Sequence, residues 1–228
     1  MTLTPKGLAT RQRIVEGGAA LLRSEDAGEV TLDDVRAATR TSKSQLFHYF
    51  PGGKEELLLE VARYEADRVL ADQQPYLGRL DSWGAWEGWR QAVIARYRAQ
   101  GASCPLSSLM RHGDVPGGAE VISALLRRWQ EELRRGIVTM QQKGEVSPDV
   151  NGELTAAALI AGVQGGVAVL RSTGDTTHLA AVLGLLIAQL RDSRSYSSPS
   201  WHPRATAAAD ATSRSNTGRS SSSVASSQ

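Results

Sequence analysis

SKSQLFHYFPGGKEELLLEVAR, residues 42 to 63, crowds Phe47, His48, Tyr49 and Phe50 against a Pro-Gly-Gly corner, then runs into Lys-Glu-Glu and a leucine ladder. A core helix has no use for the glycines, and an ordinary loop has no use for the rings. Ser42 is a good N-cap residue, and Leu46 and Phe50 stand at i and i+4 on one face of a short helix. Pro51 disfavours the helical state at the residue before it, and Gly52 and Gly53 accept any dihedral, so that helix stops at the corner. Lys54 then opens a long helix, KEELLLEVARYEADRVLA. With Leu46 and Phe50 turned inward, Lys43, Ser44, Gln45, Phe47 and His48 project from the other sides.

Upstream, TLDDVRAAT carries a second start signal: Thr31 as N-cap, acidic Asp33 and Asp34 in the first turn, and Leu32 and Val35 inward. Arg40 and Thr41 form a short break before Ser42. An earlier helix begins near Gly7 and runs through LATRQRIVEGGAALLRS, with Ile14, Gly18, Leu21 and Leu22 at helical spacing; EDAGEV after it reads as a turn. Two short helices joined by three or four residues make a helix-turn-helix candidate. From Val35 to Lys54 the chain holds Arg36, Arg40, Lys43 and Lys54 and no acidic residue, within a protein of formal net charge +2. That strip reads either as a surface for phosphates or as the solvated basic face of a helical bundle. If it faces DNA, Gln45 can pair bidentately with adenine, Lys43 can reach guanine or a phosphate, and Phe47 can touch a thymine methyl.

Downstream the pattern stays helical over 82–100, 104–112, 117–144, 151–172 and 176–193, with no sustained alternation of the kind a half-buried strand shows. Arg127 with Glu131 and Arg128 with Glu132 stand at i, i+4, which marks an exposed face. From Ser193 onward the chain is rich in Ser, Ala and Thr with few large apolar groups, the composition of a disordered tail. The fold expected is all-α. A single cysteine, no apolar signal core and no run of the ~18 apolar residues a membrane span needs point to a soluble, cytoplasmic chain with no membrane partner. No P-loop, dinucleotide fingerprint or nucleophile elbow is present, and His48, His112, His178 and His202 lack metal-ligand spacing. No enzyme activity, metal or cofactor is therefore expected. Cys104 reads as a small buried hydrophobe or as a redox sensor, and its separation from His112 and Asp114 gives no catalytic geometry.

TLDDVRAATRTSKSQLFHYFPGGKEELL, with RIVEGGAALL before it, resembles the N-terminal domain of the TetR family of bacterial transcriptional regulators. Ser42, Lys43, Leu46, His48, Tyr49, Phe50 and Lys54-Glu55-Glu56-Leu57 match that family's pattern directly. The resemblance implies a three-helix helix-turn-helix domain at 1–53, a larger helical ligand-binding and dimerisation domain at 54–192, and the tail at 193–228. It implies a homodimer on a palindromic double-stranded DNA operator, repressing until a small apolar or amphipathic effector releases it. Thr31, His48 and Lys54 should then anchor the DNA backbone, with Lys43, Ser44, Gln45 and Phe47 nearest the bases and Arg40, Ser42 and Tyr49 alongside. Two departures stand out: Arg40 replaces the usual turn glycine, and Phe47 replaces a tyrosine whose hydroxyl reaches a phosphate.

For the effector, Trp86, Trp89, Val93, Cys104, Leu106, Trp129, Met140 and Gln164 supply aromatic and apolar mass with a few polar groups. The Gly-x-x-Cys-Pro-Leu stretch at 101–106 is similar to a segment of the LmrA/YxaF-like branch, regulators of multidrug-efflux and flavonoid-responsive type. The same tryptophans can equally be plain core. Leu159, Gly162, Gly166, Leu179, Val182, Leu183, Leu186 and Leu190 form a small-faced helix and a leucine-rich one, either a four-helix dimer interface or an intramolecular core. The competing reading of the whole chain is a helical scaffold with a vestigial head and no specific operator.

Overall fold

A computed structural model describes residues 3–23, 30–100 and 116–196. Eight α-helices appear among them: α1 Pro5–Arg23, α2 Leu32–Thr39, α3 Lys43–Tyr49, α4 Gly53–Ala71, α5 Trp83–Gln100, α6 Gly118–Gln142, α7 Gly152–Thr173 and α8 Thr177–Asp192. The expectations placed on residues 25–29 of the turn, the 104–112 helix with Cys104 and Leu106, His112, Asp114, and the tail beyond 196 lie outside the described residues. α1 starts two residues before Gly7 because Pro5, which has no N–H to lose, suits the first helical turn.

Two apolar cores hold these helices. The first gathers Ile14, Val15, Ala19 and Leu22 of α1, Val35 of α2, Phe50, and Leu57, Val61 and Ala62 of α4. α1 can lie close because it carries glycines where it crosses its neighbours. A Cβ on Gly17 would fall 2.2 Å from Thr39 Cγ2, and one on Gly18 would fall 3.1 Å from Val61 Cγ2. The second core takes Ala66, Val69 and Leu70 from the far half of α4 and adds the inward faces of α5 to α8. α4 therefore belongs to both, and Val121 of α6 packs against both.

Polar contacts tie α4 on two sides. Glu65, 1% exposed, is paired with Arg23 of α1, and Glu60 is paired with Arg11 at 2.6 Å. The Arg11 guanidinium also lies over the Phe50 ring, 5.1 Å from its centroid. On the other side Asp67 meets Arg128 of α6 at 2.7 Å. That contact differs from the expected Arg128–Glu132 pairing: Glu131 and Glu132 pair instead with Arg134 and Arg135. On a helix the acid-before-base order is the favourable one, so each glutamate reaches forward.

α7 and α8 pack at close range. A Cβ on Gly166 would stand 2.6 Å from Leu179 Cα, and one on Gly162 would stand 3.0 Å from Val182 Cγ2. α7 also corrects the expectation that no segment is long and apolar enough to cross a membrane: by length and composition it is. Its run of Ala, Gly, Val and Leu is broken only by weakly polar residues, so the average stays apolar. Seven of its residues, Ala156, Leu159, Ile160, Val163, Gly166, Val167 and Leu170, are buried within the chain.

Candidate nucleic-acid interface

The α2–turn–α3 unit is held by local hydrogen bonds. Thr31 caps α2: its Oγ1 accepts from the Asp34 N–H at 3.2 Å, while the Asp34 carboxylate accepts from the Thr31 N–H at 2.9 Å and hydroxyl at 2.6 Å. Those two bonds from Thr31 favour the ionised carboxyl and hold Asp34 below the usual carboxylate range. The Thr31 hydroxyl proton is thus committed to Asp34 in this state.

The turn is made by Arg40 in the left-handed region, φ 50° and ψ 45°, where its N–H reaches back to Ala37 O. Thr41 N–H donates to Arg36 O at 3.0 Å. Beneath the turn the buried hydroxyls close on one another: Thr39 Oγ1 donates to Val35 O at 2.6 Å and lies 2.9 Å from Thr41 Oγ1. A side chain at this left-handed position costs about 1 kcal/mol relative to glycine.

α3 is seven residues long. Its inner side is anchored by Leu46 and by the cap residue Phe50, both 0% exposed. Ser42, Lys43, Ser44, Gln45, Phe47 and His48 are exposed, and Tyr49 is half-buried with its ring edge-on to His48 at 4.9 Å. Phe47 keeps 41% of its surface in solvent, a large apolar exposure on a short helix. The N-terminus is closed by a second capping box, in which Ser42 Oγ accepts from the Gln45 N–H and Gln45 Oε1 accepts from the Ser42 N–H, both at 3.2 Å. At the corner, Gly53 takes φ 69°, and its N–H donates to Phe50 O at 2.9 Å. Lys54 follows, half-buried at the start of α4.

So Arg40, Ser42, Lys43, Ser44, Gln45, Phe47 and His48 come together on one outward surface, with Thr31 exposed at the foot of α2. Their exposure follows from the period of α3 once Leu46 and Phe50 are fixed. The two interlocked caps were only half legible: Thr31 and Ser42 announced themselves, whereas the partner roles of Asp34 and Gln45 at N3 are seen only in the geometry.

The residues expected around an effector are distributed differently. Trp86, Trp89, Val93, Trp129 and Met140 are all 1% exposed or less and meet inside the second core, with Trp86 and Trp89 edge-to-face at 5.9 Å. Trp89 Nε1 donates to Gln73 Oε1 at 2.7 Å, but the indole N–H groups of Trp86 and Trp129 are buried with no partner among the described residues. Gln164 is not among them: it projects from the exposed face of α7. An open cleft of about 550 Å³ lies instead between α4 and α6, floored by Ala66, Val121, Ala124 and Leu125 and rimmed by Arg63, Asp67 and Arg128. No sequence signal marked it, because its floor and rim come from separate helices.

The residues expected at a dimer interface are divided between the buried and the half-buried faces of α7 and α8: Gly162, Val182 and Leu186 are half-buried. Leu159, Gly166, Leu179, Leu183 and Leu190 are buried where α7 and α8 pack within one chain. Leu154, 67% exposed, and Leu185, 72% exposed, are large apolar side chains turned outward on α7 and α8, and Leu154 lines a groove with Ala158 and Leu186. Both helices are apolar on more than one face, and the sequence does not say which face turns inward.

Residues 14–61 match the family described as bacterial regulatory proteins, tetR family, and residues 87–186 match the one described as tetracyclin repressor-like, C-terminal domain. The chain is 26% identical over 197 residues to an uncharacterized HTH-type transcriptional regulator of Mycobacterium tuberculosis, covering 79% of this chain and 95% of the relative. Its fold is shared by the crystal structure of a TetR transcriptional regulator from Chloroflexus aurantiacus, with TM-score 0.64, 24% identity, and 82% of this chain and 96% of that one covered. It is shared also by the SmeT–triclosan complex, with TM-score 0.61, 17% identity, and 82% and 94% covered. A capped helix-turn-helix at the N-terminal end, a helical body behind it and both halves of the family match together make this chain a member of the TetR family of transcriptional regulators.

Proposed function

We propose that the chain is a homodimeric, ligand-responsive repressor that binds a palindromic operator and is released by a small apolar or amphipathic effector. In this reading residues 1–53 carry the DNA-binding head, 54–192 the sensing and dimerising body, and 193–228 a tail with no assigned role, and the protein works in the cytoplasm. The observation that carries the proposal is α3 itself: pinned by Leu46 and Phe50, it turns Lys43, Ser44, Gln45 and Phe47 outward together. These would meet the base edges, while Arg40, Ser42, His48, Tyr49 and Lys54 meet the sugar-phosphate backbone. Thr31 joins the second group only if its hydroxyl leaves Asp34.

Two chains would join through the outward apolar surface of α7 and α8 around Leu154 and Leu185. That arrangement would set two α3 helices roughly 34–36 Å, or a multiple of it, apart. Effector coupling would run through α4, which gives buried residues to both cores. A ligand entering the α4–α6 cleft, or prising open the tryptophan cluster, would shift α4 and with it the head. That a solved relative of this fold is a complex with triclosan, an apolar phenol, supports an effector of that kind.

The test is selection of bound sequences from a random double-stranded library by the purified protein at near-physiological salt. One palindromic sequence, bound less tightly by Lys43→Ala, is the expected outcome. Weak, salt-sensitive binding without sequence preference would remove the repressor reading and leave a scaffold with a helical head. Coupling demands that the effector bind more weakly when operator is present; equal binding in both states defeats it.

A further inference from the structure

The far end of α3 is gripped from behind by α1. Gly7 and Arg11 stand one turn apart on α1, and each meets one of the two rings that finish the α3 segment. A Cβ on Gly7 would fall 3.6 Å from the Tyr49 hydroxyl. The Arg11 guanidinium lies over Phe50, whose own N–H closes α3 on Leu46 O at 2.8 Å. A guanidinium is flat and charged, so it can rest a face on a ring while an edge meets a carboxylate. Arg11 does both: its centre is 5.1 Å from the Phe50 centroid, and its Nη2 is 2.6 Å from Glu60 Oε2 on α4.

Glu60 is held on its other side by Arg63, which rims the α4–α6 cleft. Burial pushes the Glu60 carboxyl up, but the hydrogen bonds from Arg11 and Arg63 outweigh it and hold the group below its ordinary value. One charged carboxylate thus stands between the cleft and the ring that ends α3. The link is not needed to hold α1 against α4, which the buried Glu65 and Arg23 already join. What Arg11 adds is Phe50. It is also half-buried, unlike the exposed Lys43, Ser44, Gln45 and Phe47. We infer that Arg11 is a positioning residue for DNA recognition: it ties the end of α3 to α4 through Glu60, so that the pose of α3 in the groove follows α4. This inference rests on α3 being the helix that enters the major groove.

The experiment compares wild type, Arg11→Met, Glu60→Gln and the double variant, below the melting point of each. Each is titrated at several salt concentrations with the duplex that wild type selects from a random library, and with an unrelated duplex of equal length. Arg11→Met keeps a long apolar cover on Phe50 but drops the tie to Glu60. It should weaken binding to the selected duplex by roughly fivefold, through a smaller population of the reading pose, and leave the salt slope unchanged. Glu60→Gln is the sharper variant. Removing a negative charge favours DNA binding in general, yet it should weaken binding to the selected duplex by roughly twofold to fivefold. The double variant should bind within about twofold of Arg11→Met, because both changes break one link.

Tighter binding by Glu60→Gln, with a salt slope lowered by about 1 in Arg11→Met, would make Arg11 a phosphate contact and overturn the inference. Losses that simply add in the double variant overturn it, as do lower melting temperatures with unchanged affinity for the selected duplex. All of these leave the DNA-binding function standing. Selection of no sequence by wild type would overturn both this inference and the function proposed above.

Discussion

Arg40 shows how one residue can serve two ends at once. The turn between α2 and α3 needs a left-handed residue, and at φ 50° an arginine is strained where glycine would be at ease. The strain is tolerable because the N–H of Arg40 reaches Ala37 O and the buried Thr39 and Thr41 hydroxyls brace the turn from below. Arg40→Gly should therefore raise the unfolding free energy by about 0.5–1 kcal/mol in a denaturant titration, since the gain in native ease is partly offset by a freer unfolded chain. If the guanidinium meets a phosphate, the same variant should bind every DNA sequence more weakly and lower the salt slope by about 1. Sequence alone exposed the anomaly, an arginine at a glycine position; which backbone state it adopts, and what braces it, came from the geometry.

Helices in this chain are specified by their ends and then assigned a face by packing. The α2 cap depends on the Asp34 carboxylate, which its bonds to Thr31 hold below the ordinary value of 3.8. A carboxyl with a lowered folded pKa adds stability above its unfolded pKa and loses it as the pH falls through the folded one. The difference in melting temperature between wild type and Asp34→Ala should thus be widest near neutral pH and shrink below about pH 4. The α7–α8 contact offers a sharper comparison between adjacent positions. Gly166→Ala puts a methyl 2.6 Å from the Leu179 backbone and should destabilise by about 1–3 kcal/mol, whereas a methyl on Gly165 meets nothing within 4 Å. Gly165→Ala should be neutral or stabilising by up to about 1 kcal/mol through helix propensity. Equal effects of the two on chemical denaturation would contradict the packing described for α7 and α8.

Across the whole molecule, α4 is the member that joins head and body, and its buried acid sits where the two cores meet. Glu65 is almost fully buried and answered by Arg23 from α1, so Arg23→Ala would leave a carboxylate inside without its partner. The expected cost is about 3 kcal/mol, because an unpaired buried charge is far more expensive than the pair is favourable. Circular dichroism on heating would read it, and replacing both Arg23 and Glu65 by apolar residues should recover most of the loss. The outward surface of α7 and α8 makes a different demand. Leu185 is 72% exposed, so Leu185→Glu should leave the monomer fold intact and shift sedimentation to the single-chain mass if that surface joins two copies. An unchanged mass would move the dimer contact elsewhere.

Local signals carried much of this fold. Thr31 and Ser42 as caps, Pro51-Gly52-Gly53 as a corner and helical periodicity elsewhere determined that the chain is all-α with a helix-turn-helix near its start, because those effects act over a few residues and need no partner. What lay beyond them was decided by packing between distant segments. The Pro-Gly-Gly corner marks where α4 begins, but the first core runs on to Ala62, since a helix can give one half to each of two cores. The tryptophans became core and Leu159 and Leu179 an internal seam, because a helix apolar on several faces is oriented only by the neighbours that cover it. The bonding of the Gln45 carboxamide was settled in the same way: the sequence names the amide, and only the three-dimensional cap shows that its oxygen accepts the Ser42 N–H.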